Sequence, residues 1–188
     1  GSRGTGKTSV ARILARELGT SQNDLYEIDA ASNRGIDEVR ALREAVRTVP
    51  FESKYKVYIV DEVHMLTREA FNALLKTLEE PPAHVIFILA TTEAHKVPET
   101  IISRCQTFTF RQPSLEVIVE RLKSIAKAEG WQIEVAAAAL VALMGDGSFR
   151  DAIGILQQVM GASKDKKITP FISLADSELT PYSSSFDA

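Results

Sequence analysis

The chain has 188 residues, of which 45% are hydrophobic and 25% charged, with a formal net charge of -3 at pH 7. That length and balance suit a globular core with one small appendage and exclude a disordered or fibrous chain. The charge gives no overall attraction to nucleic acid, so any DNA contact has to come from local patches or helix ends. A single cysteine, Cys105, excludes an internal disulfide and a thiolate zinc site and fits a reducing, cytoplasmic setting. No apolar run approaches the roughly 20 residues of a membrane span, so no membrane partner is expected.

Residues 1–8 read Gly-Ser-Arg-Gly-Thr-Gly-Lys-Thr, a complete G-x-x-x-x-G-K-[ST] phosphate-binding loop. In such a loop Gly1, Gly4, Thr5 and Gly6 turn backbone N–H groups inward around an anion. Lys7 reaches the outer phosphates, and the Thr8 hydroxyl ligates magnesium. The expected ligands are therefore ATP and Mg2+. A loop of this kind follows a strand and none precedes it here, so the chain reads as N-terminally truncated, with its first strand missing.

Beyond the loop, Val10, Ile13, Leu14 and Leu18 predict one apolar helix face, stopped at Gly19. Leu25 to Ile28 reads as a short strand. From Gly35 to Val49, Ile36, Val39, Leu42, Val46 and Val49 mark an amphipathic helix with Asp37 and Glu38 in its first turn. Val57 to Val60 is uninterruptedly apolar, as a strand covered on both faces should be. Thr67 caps a helix bearing Phe71, Leu74, Leu75 and Leu78, which Pro81-Pro82 ends. Val85 to Ala90 reads as another buried strand, and Thr107 to Phe110 alternates like a strand nearer an edge. Alternating βα units of this kind predict an α/β fold, a parallel sheet with helices on both faces.

Pro113 marks a change of regime, after which no strand pattern recurs. Three helices follow: one with Leu115, Ile118, Val119, Leu122 and Ile125, one through Leu140, Leu143 and Met144, and one from Ser148 with Ile153, Leu156, Val159 and Met160. The predicted organisation is a nucleotide-binding core over 1–112, a small three-helix lid over 113–163, and an irregular tail over 164–188.

The chemistry gathers at strand ends. Val57-Tyr58-Ile59-Val60-Asp61-Glu62 delivers two carboxylates to the C-terminal end of a buried strand, where ligands of open α/β sheets bind. Asp61 suits the magnesium and Glu62 the attacking water. The next strand ends in Ala90-Thr91-Thr92, whose hydroxyls suit either a phosphate contact or an ordinary strand terminus. Arg104 lies in Ser103-Arg104-Cys105. Arg150 stands in the first turn of the last helix, where a cation opposes the helix dipole unless an anion is near. For both arginines a surface ion pair is the competing account.

The segments 1–8, Glu27-Ile28-Asp29-Ala30-Ala31-Ser32, Asp61-to-Leu66, Phe71-to-Pro82, Ala90-Thr91-Thr92 and Ser103-Arg104-Cys105 together resemble clamp-loader AAA+ ATPases, those of bacterial DNA polymerase III in particular. The resemblance covers about residues 1 to 165. It implies an ATP-hydrolysing switch that opens a ring-shaped sliding clamp, places it on primer-template DNA and releases it, in a hetero-oligomer with other clamp-loader subunits. It also implies roles for three residues: Thr92 as sensor 1, Arg104 as the arginine finger inserted into a neighbouring subunit's site, and Arg150 as sensor 2 in the subunit's own lid. The four-cysteine zinc module usual in the family has no counterpart between Gly19 and Asp24, so no zinc is expected.

Two rival classes share some of these features. Asp61-Glu62-Val63-His64 also spells the D-E-x-H of superfamily 2 helicases, which need a second domain that this chain cannot hold. Another AAA+ motor, such as a branch-migration helicase, and a non-hydrolysing structural loader subunit are the nearer alternatives. Ser32, Asn33 and Arg34, at the start of the helix that carries Arg40, Arg43 and Arg47, are candidate DNA contacts. Glu44 in the same stripe makes an ion-paired solvated face an equal account.

Overall fold

Three strands, β1 (Leu25–Asp29), β2 (Lys56–Asp61) and β3 (Val85–Leu89), pair in parallel in that order. This computed structural model describes residues 2–163 and 165–170; the expectations for Gly1 and for residues 171–188 lie outside them. The described residues divide into two compact units, one of residues 6–110 and one of residues 2–5 together with 111–163 and 165–170.

In the first unit β2 is the buried centre, with Val57, Tyr58, Ile59 and Val60 almost wholly covered. Side chains on a strand alternate between faces, so each face recruits its own helices. Tyr58 and Val60 pack with Val39, Leu42 and Val46 of α2 (Ile36–Val46) and with Ala70, Phe71 and Leu74 of α3 (Arg68–Glu79). Val57 and Ile59 pack on the other face with Ala11 and Ala15 of α1 (Lys7–Glu17). Thr67 caps α3 as expected, its Oγ1 accepting from Ala70 N at 3.2 Å.

The predicted face of α1 is the wrong one. Val10, Ile13 and Leu14 are exposed, whereas Ala11 and Ala15 are buried. Small side chains let the helix approach the sheet closely. Val49 likewise lies beyond the end of α2 and is exposed. Thr107 to Phe110 forms no strand, because it finds no ladder partner among the described residues, and Phe108 is 71% exposed.

The second unit holds α5 (Leu115–Ala128), α6 (Val135–Met144) and α7 (Phe149–Ala162), following a single turn, α4 (Glu99–Ile102), that belongs to the first unit. Its core joins Ile118 and Leu122 to Ala137, Val141, Ala142, Ala152, Leu156 and Val159, with Trp131 packed against it. Leu143 and Met144 are exposed, since α6 also buries its alanines. Contrary to the helix-only expectation, β4 (Gln132–Ile133) pairs in parallel with β5 (Lys167–Ile168), and Ile168 is fully buried.

Two buried polar groups organise the first unit. Lys56 at the start of β2 donates through Nζ to Ala45 O at 2.9 Å and to Thr48 Oγ1 at 2.6 Å. Its cation thereby sits at the negative end of α2. Asp24 is fully buried and accepts from the backbone N–H groups of Phe51, Glu52 and Ser53. Burial raises the Asp24 pKa, but the backbone N–H donors of Glu52, Phe51 and Ser53 outweigh it and hold the carboxyl well below the usual carboxylate range. Its stabilising contribution is present above the unfolded value of about 3.9 and is lost as pH falls through the lower folded value. Asp24→Asn should therefore be less stable than wild type at neutral pH in urea unfolding, and the difference should shrink below about pH 4.

Tyr26, Tyr58 and Phe87 stack across the three strands, with ring centroids 4.9 and 5.5 Å apart. The Tyr58 hydroxyl is buried without a hydrogen-bond partner among the described residues, and burial pushes its pKa up to about 12. Tyr58→Phe removes an unsatisfied polar atom at constant shape, so the variant should match or exceed wild-type stability by about 1 kcal/mol. A loss of stability in chemical denaturation would contradict that.

Candidate nucleotide-binding site

The loop before α1 takes two left-handed turns, Gly4 at φ 72 and Gly6 at φ 90. A Cβ at Gly6 would meet nothing within 4 Å, so that turn opens onto free space, and only glycine adopts it without strain. Gly4 is crowded instead. A Cβ there would strike Ser148 Oγ, and it would lie 3.4 Å from Arg150 Cβ. Phe149 N–H donates to Gly4 O at 3.0 Å. Thus Gly4 and Arg150 are neighbours within the second unit, at the start of α7. Thr5 is buried and donates through Oγ1 to Ser2 O at 3.0 Å, so its side chain braces the loop.

Lys7 and Thr8 begin α1. Thr8 Oγ1 donates to Asp61 Oδ2 at 2.7 Å, which joins the start of α1 to the end of β2. Asp61 Oδ1 accepts from Glu62 N at 2.9 Å. Glu62 has φ 46, in the left-handed region that a non-glycine residue enters only under constraint. Its Oε2 accepts from Thr92 N at 3.1 Å and from Thr92 Oγ1 at 2.9 Å. The first unit thus brings Thr8 to Asp61 and Glu62 to Thr92 at the C-terminal edge of the sheet, where open α/β sheets bind ligands.

His64, the last residue of the Asp61-Glu62-Val63-His64 run, contacts the segment that follows β3. Its side chain is only 6% exposed. Nδ1 lies 2.8 Å from Thr91 Oγ1 and 3.3 Å from Glu62 Oε2, and Nε2 lies 3.0 Å from Glu93 Oε2. Glu93 also takes Lys96 Nζ at 2.8 Å. That hydrogen bond, with the charges of Lys96, His64 and His95, holds the Glu93 carboxyl below the usual range.

Arg104 stands apart from this cluster. Its guanidinium donates to Glu79 Oε1 at 2.7 Å and to Thr100 O at 2.6 Å. Ser32, Asn33 and Arg34 are drawn into their own loop: Ser32 Oγ donates to Asp29 Oδ2, Asn33 Nδ2 to Asp29 O, and Arg34 Nε to Ala31 O. On the flank of α2, Arg40 pairs with Asp37 at 3.2 Å and Arg47 with Glu44 at 3.6 Å. A groove between α2 and α3 is lined by Arg40, Arg43, Glu69, Asn72 and Lys76. Arg43 and Lys76 form no ion pair among the described residues. Sequence reasoning missed Lys76, although its place five residues after Phe71 puts it on the far side of α3 from the core.

A P-loop, a parallel sheet and a following helical unit define the class, a nucleotide-binding fold of the AAA+ type. Solved structures of the same fold include the Thermotoga maritima RuvB Holliday junction branch migration motor. It matches with a TM-score of 0.80 at 23% identity, over 95% of this chain and 59% of that one. Residues 18–114, over half of the chain, match the family model of the DNA polymerase III delta subunit, and 117–165 match the ATPase lid domain of the DNA polymerase III clamp loader subunit. The chain belongs to the clamp-loader subunit family of DNA polymerase III. Among its relatives are the DNA polymerase III subunit tau of Bacillus subtilis, 48% identical over 186 residues, and the subunit gamma/tau of Mycoplasma pneumoniae, 43% over 200. The subunit tau of Escherichia coli is 41% identical over 194 residues. These alignments take in 88%, 96% and 92% of this chain but 33%, 29% and 30% of the relatives, so the chain spans about a third of their length.

The Arg104–Glu79 pair is half exposed, with side chains 35% and 47% accessible. Exposed pairs of this kind contribute between about 0 and 1 kcal/mol. Glu79→Ala should therefore leave the unfolding free energy within about 0.5 kcal/mol of wild type, as urea titration can check. A larger loss would make the pair a structural element rather than a releasable one.

Proposed function

We propose that this segment is the ATP-binding and ATP-hydrolysing part of a DNA polymerase III clamp-loader subunit, which loads a sliding clamp onto primer-template DNA during replication. The observation that carries the reading is the double convergence at the end of β2, Asp61 on Thr8 and Glu62 on Thr92. It brings together the oxygen donors that a magnesium–nucleotide complex takes and the carboxylate that a hydrolytic water needs. The donor set fits the metal: Thr8 and Asp61 offer one hydroxyl and one carboxylate, the few protein oxygens that would hold magnesium beside a bound phosphate.

In this reading Lys7 and the open turn at Gly6 receive the phosphates, while Thr8 and Asp61 would hold a magnesium ion, which would supply positive charge beside the phosphate oxygens. Glu62 orients the water and draws its proton, and Thr92 keeps the Glu62 carboxylate turned toward the β3 end. Arg150, beside Gly4, serves the same subunit's nucleotide. Arg104 leaves Glu79 and serves the site of a neighbouring subunit. The partners are the other loader subunits, the clamp and DNA, and the setting is cytoplasmic. The groove between α2 and α3, with Arg43 and Lys76 unpaired, suits sugar-phosphate better than base edges. The likeness to a branch migration motor is one of fold, and no residue contact described above favours that motor over a loader.

The test uses the full-length protein that carries this segment, assembled with its partner subunits. Lys7→Ala should abolish ATP binding in calorimetry, and Glu62→Gln should keep binding while losing turnover. Arg104→Ala should bind ATP yet lose about 10³-fold or more of clamp- and DNA-stimulated hydrolysis. Mixing it with Lys7→Ala subunits should restore part of the activity, because each supplies the half-site that the other lacks. Unchanged turnover in Glu62→Gln would overturn the reading of that residue. Absent recovery in verified mixed oligomers would overturn the role of Arg104 in its neighbour's site.

A further inference from the structure

We propose that His64 is a positioning residue for Glu62 that acts through the Thr91-Thr92-Glu93 segment, pinning that segment so that Thr92 fixes the direction of the carboxylate before the chemical step. The proposal rests on the ATPase reading above.

Three observations carry it. First, Glu62 sits at a backbone turn with φ 46, which gives its side chain no neighbour along a strand to hold it. What holds it is Thr92, whose N and Oγ1 both donate to Oε2, at 3.1 and 2.9 Å. Second, His64 is nearly buried, and its two ring nitrogens face different parts of the structure. The Glu93 carboxylate can only accept, so Nε2 carries the proton there and fixes the ring plane. Third, three consecutive residues on the segment after β3 all bear on this cluster. Thr91 Oγ1 contacts Nδ1 and accepts from Glu93 N at 3.0 Å, Thr92 binds Glu62, and Glu93 anchors Nε2. With Nε2 donating to Glu93, Nδ1 accepts from Thr91 Oγ1, so the imidazole pins the segment on either side of the residue that holds Glu62.

The two ends of the ring can be separated chemically. An asparagine amide reaches the position of Nδ1, and a glutamine amide reaches that of Nε2. In the full-length assembled protein, His64→Ala should lower kcat for ATP hydrolysis about 10- to 100-fold, while KM and ATP affinity stay within about twofold. His64→Asn should recover most of the lost kcat, His64→Gln little, because only the asparagine replaces the contact to Thr91. Glu93→Gln, which keeps the ring but loosens its anchor, should give a smaller loss of kcat at unchanged KM. A residue that merely fills space would show equal behaviour of Asn and Gln, or a loss in nucleotide affinity with kcat intact, and either result overturns the proposal. So does an unchanged kcat in His64→Ala. The same preparations report on the underlying reading: if wild type shows no hydrolysis that Glu62→Gln removes, the ATPase assignment itself falls and takes this one with it.

Discussion

Everything at the candidate site depends on one backbone constraint at the end of β2. Along a strand, neighbouring side chains point to opposite faces, so two consecutive carboxylates cannot serve one site by extension alone. Asp61 keeps the strand's alternation. It follows Val57 and Ile59 on the face covered by α1, which is why it meets Thr8. Glu62 breaks the alternation by entering the left-handed region, and the turn swings its carboxylate past β3 to Thr92. The opposite face of the same strand, with Lys56, Tyr58 and Val60, is given over to α2 and α3 and takes no part in the chemistry. Burial of β2 from Lys56 to Val60 is what makes this division rigid.

What the sequence made legible follows from how far each signal reaches along the chain. The strand at Val57 to Val60, the helix cap at Thr67 and the helix start at Ser148 are local patterns, and the structure has each of them. Faces were read less well. In α1 and α6 the bulky side chains at helical spacing pointed to Val10, Ile13, Leu143 and Met144, yet the buried rows are Ala11 and Ala15, and Ala137, Ala138 and Ala142. A close helix approach rewards small side chains, and hydrophobic size misleads there. The pairing of β4 with β5 involves two residues on each strand, too few for any periodicity to register.

The site divides in the same way. Asp61 and Glu62 were legible because their consecutive acidity ends a buried strand. The bond between Glu62 and Thr92 spans 30 residues, and the one between Arg104 and Glu79 spans 25, so neither leaves a pattern in sequence. His64 was visible only as the fourth letter of D-E-x-H, a spelling with no spacing rule behind it. Its partners Thr91 and Glu93 become neighbours through the parallel register of β2 with β3. Asp24 and Lys56 belong to the same class, as each satisfies backbone groups of a distant turn and each reads in sequence as an ordinary surface charge.

The placement of aromatic residues has an optical consequence. The only tryptophan, Trp131, packs in the core of the second unit, whereas the stacked Tyr26 and Tyr58 belong to the first. Selective excitation of the indole reports on the helical unit alone, and the coupled tyrosine rings contribute near-ultraviolet dichroism from the sheet. The two signals separate the melting of one unit from that of the other without any label. If the units unfold as a single cooperative body the two curves coincide, and if they do not the gap between them measures how independently each one stands.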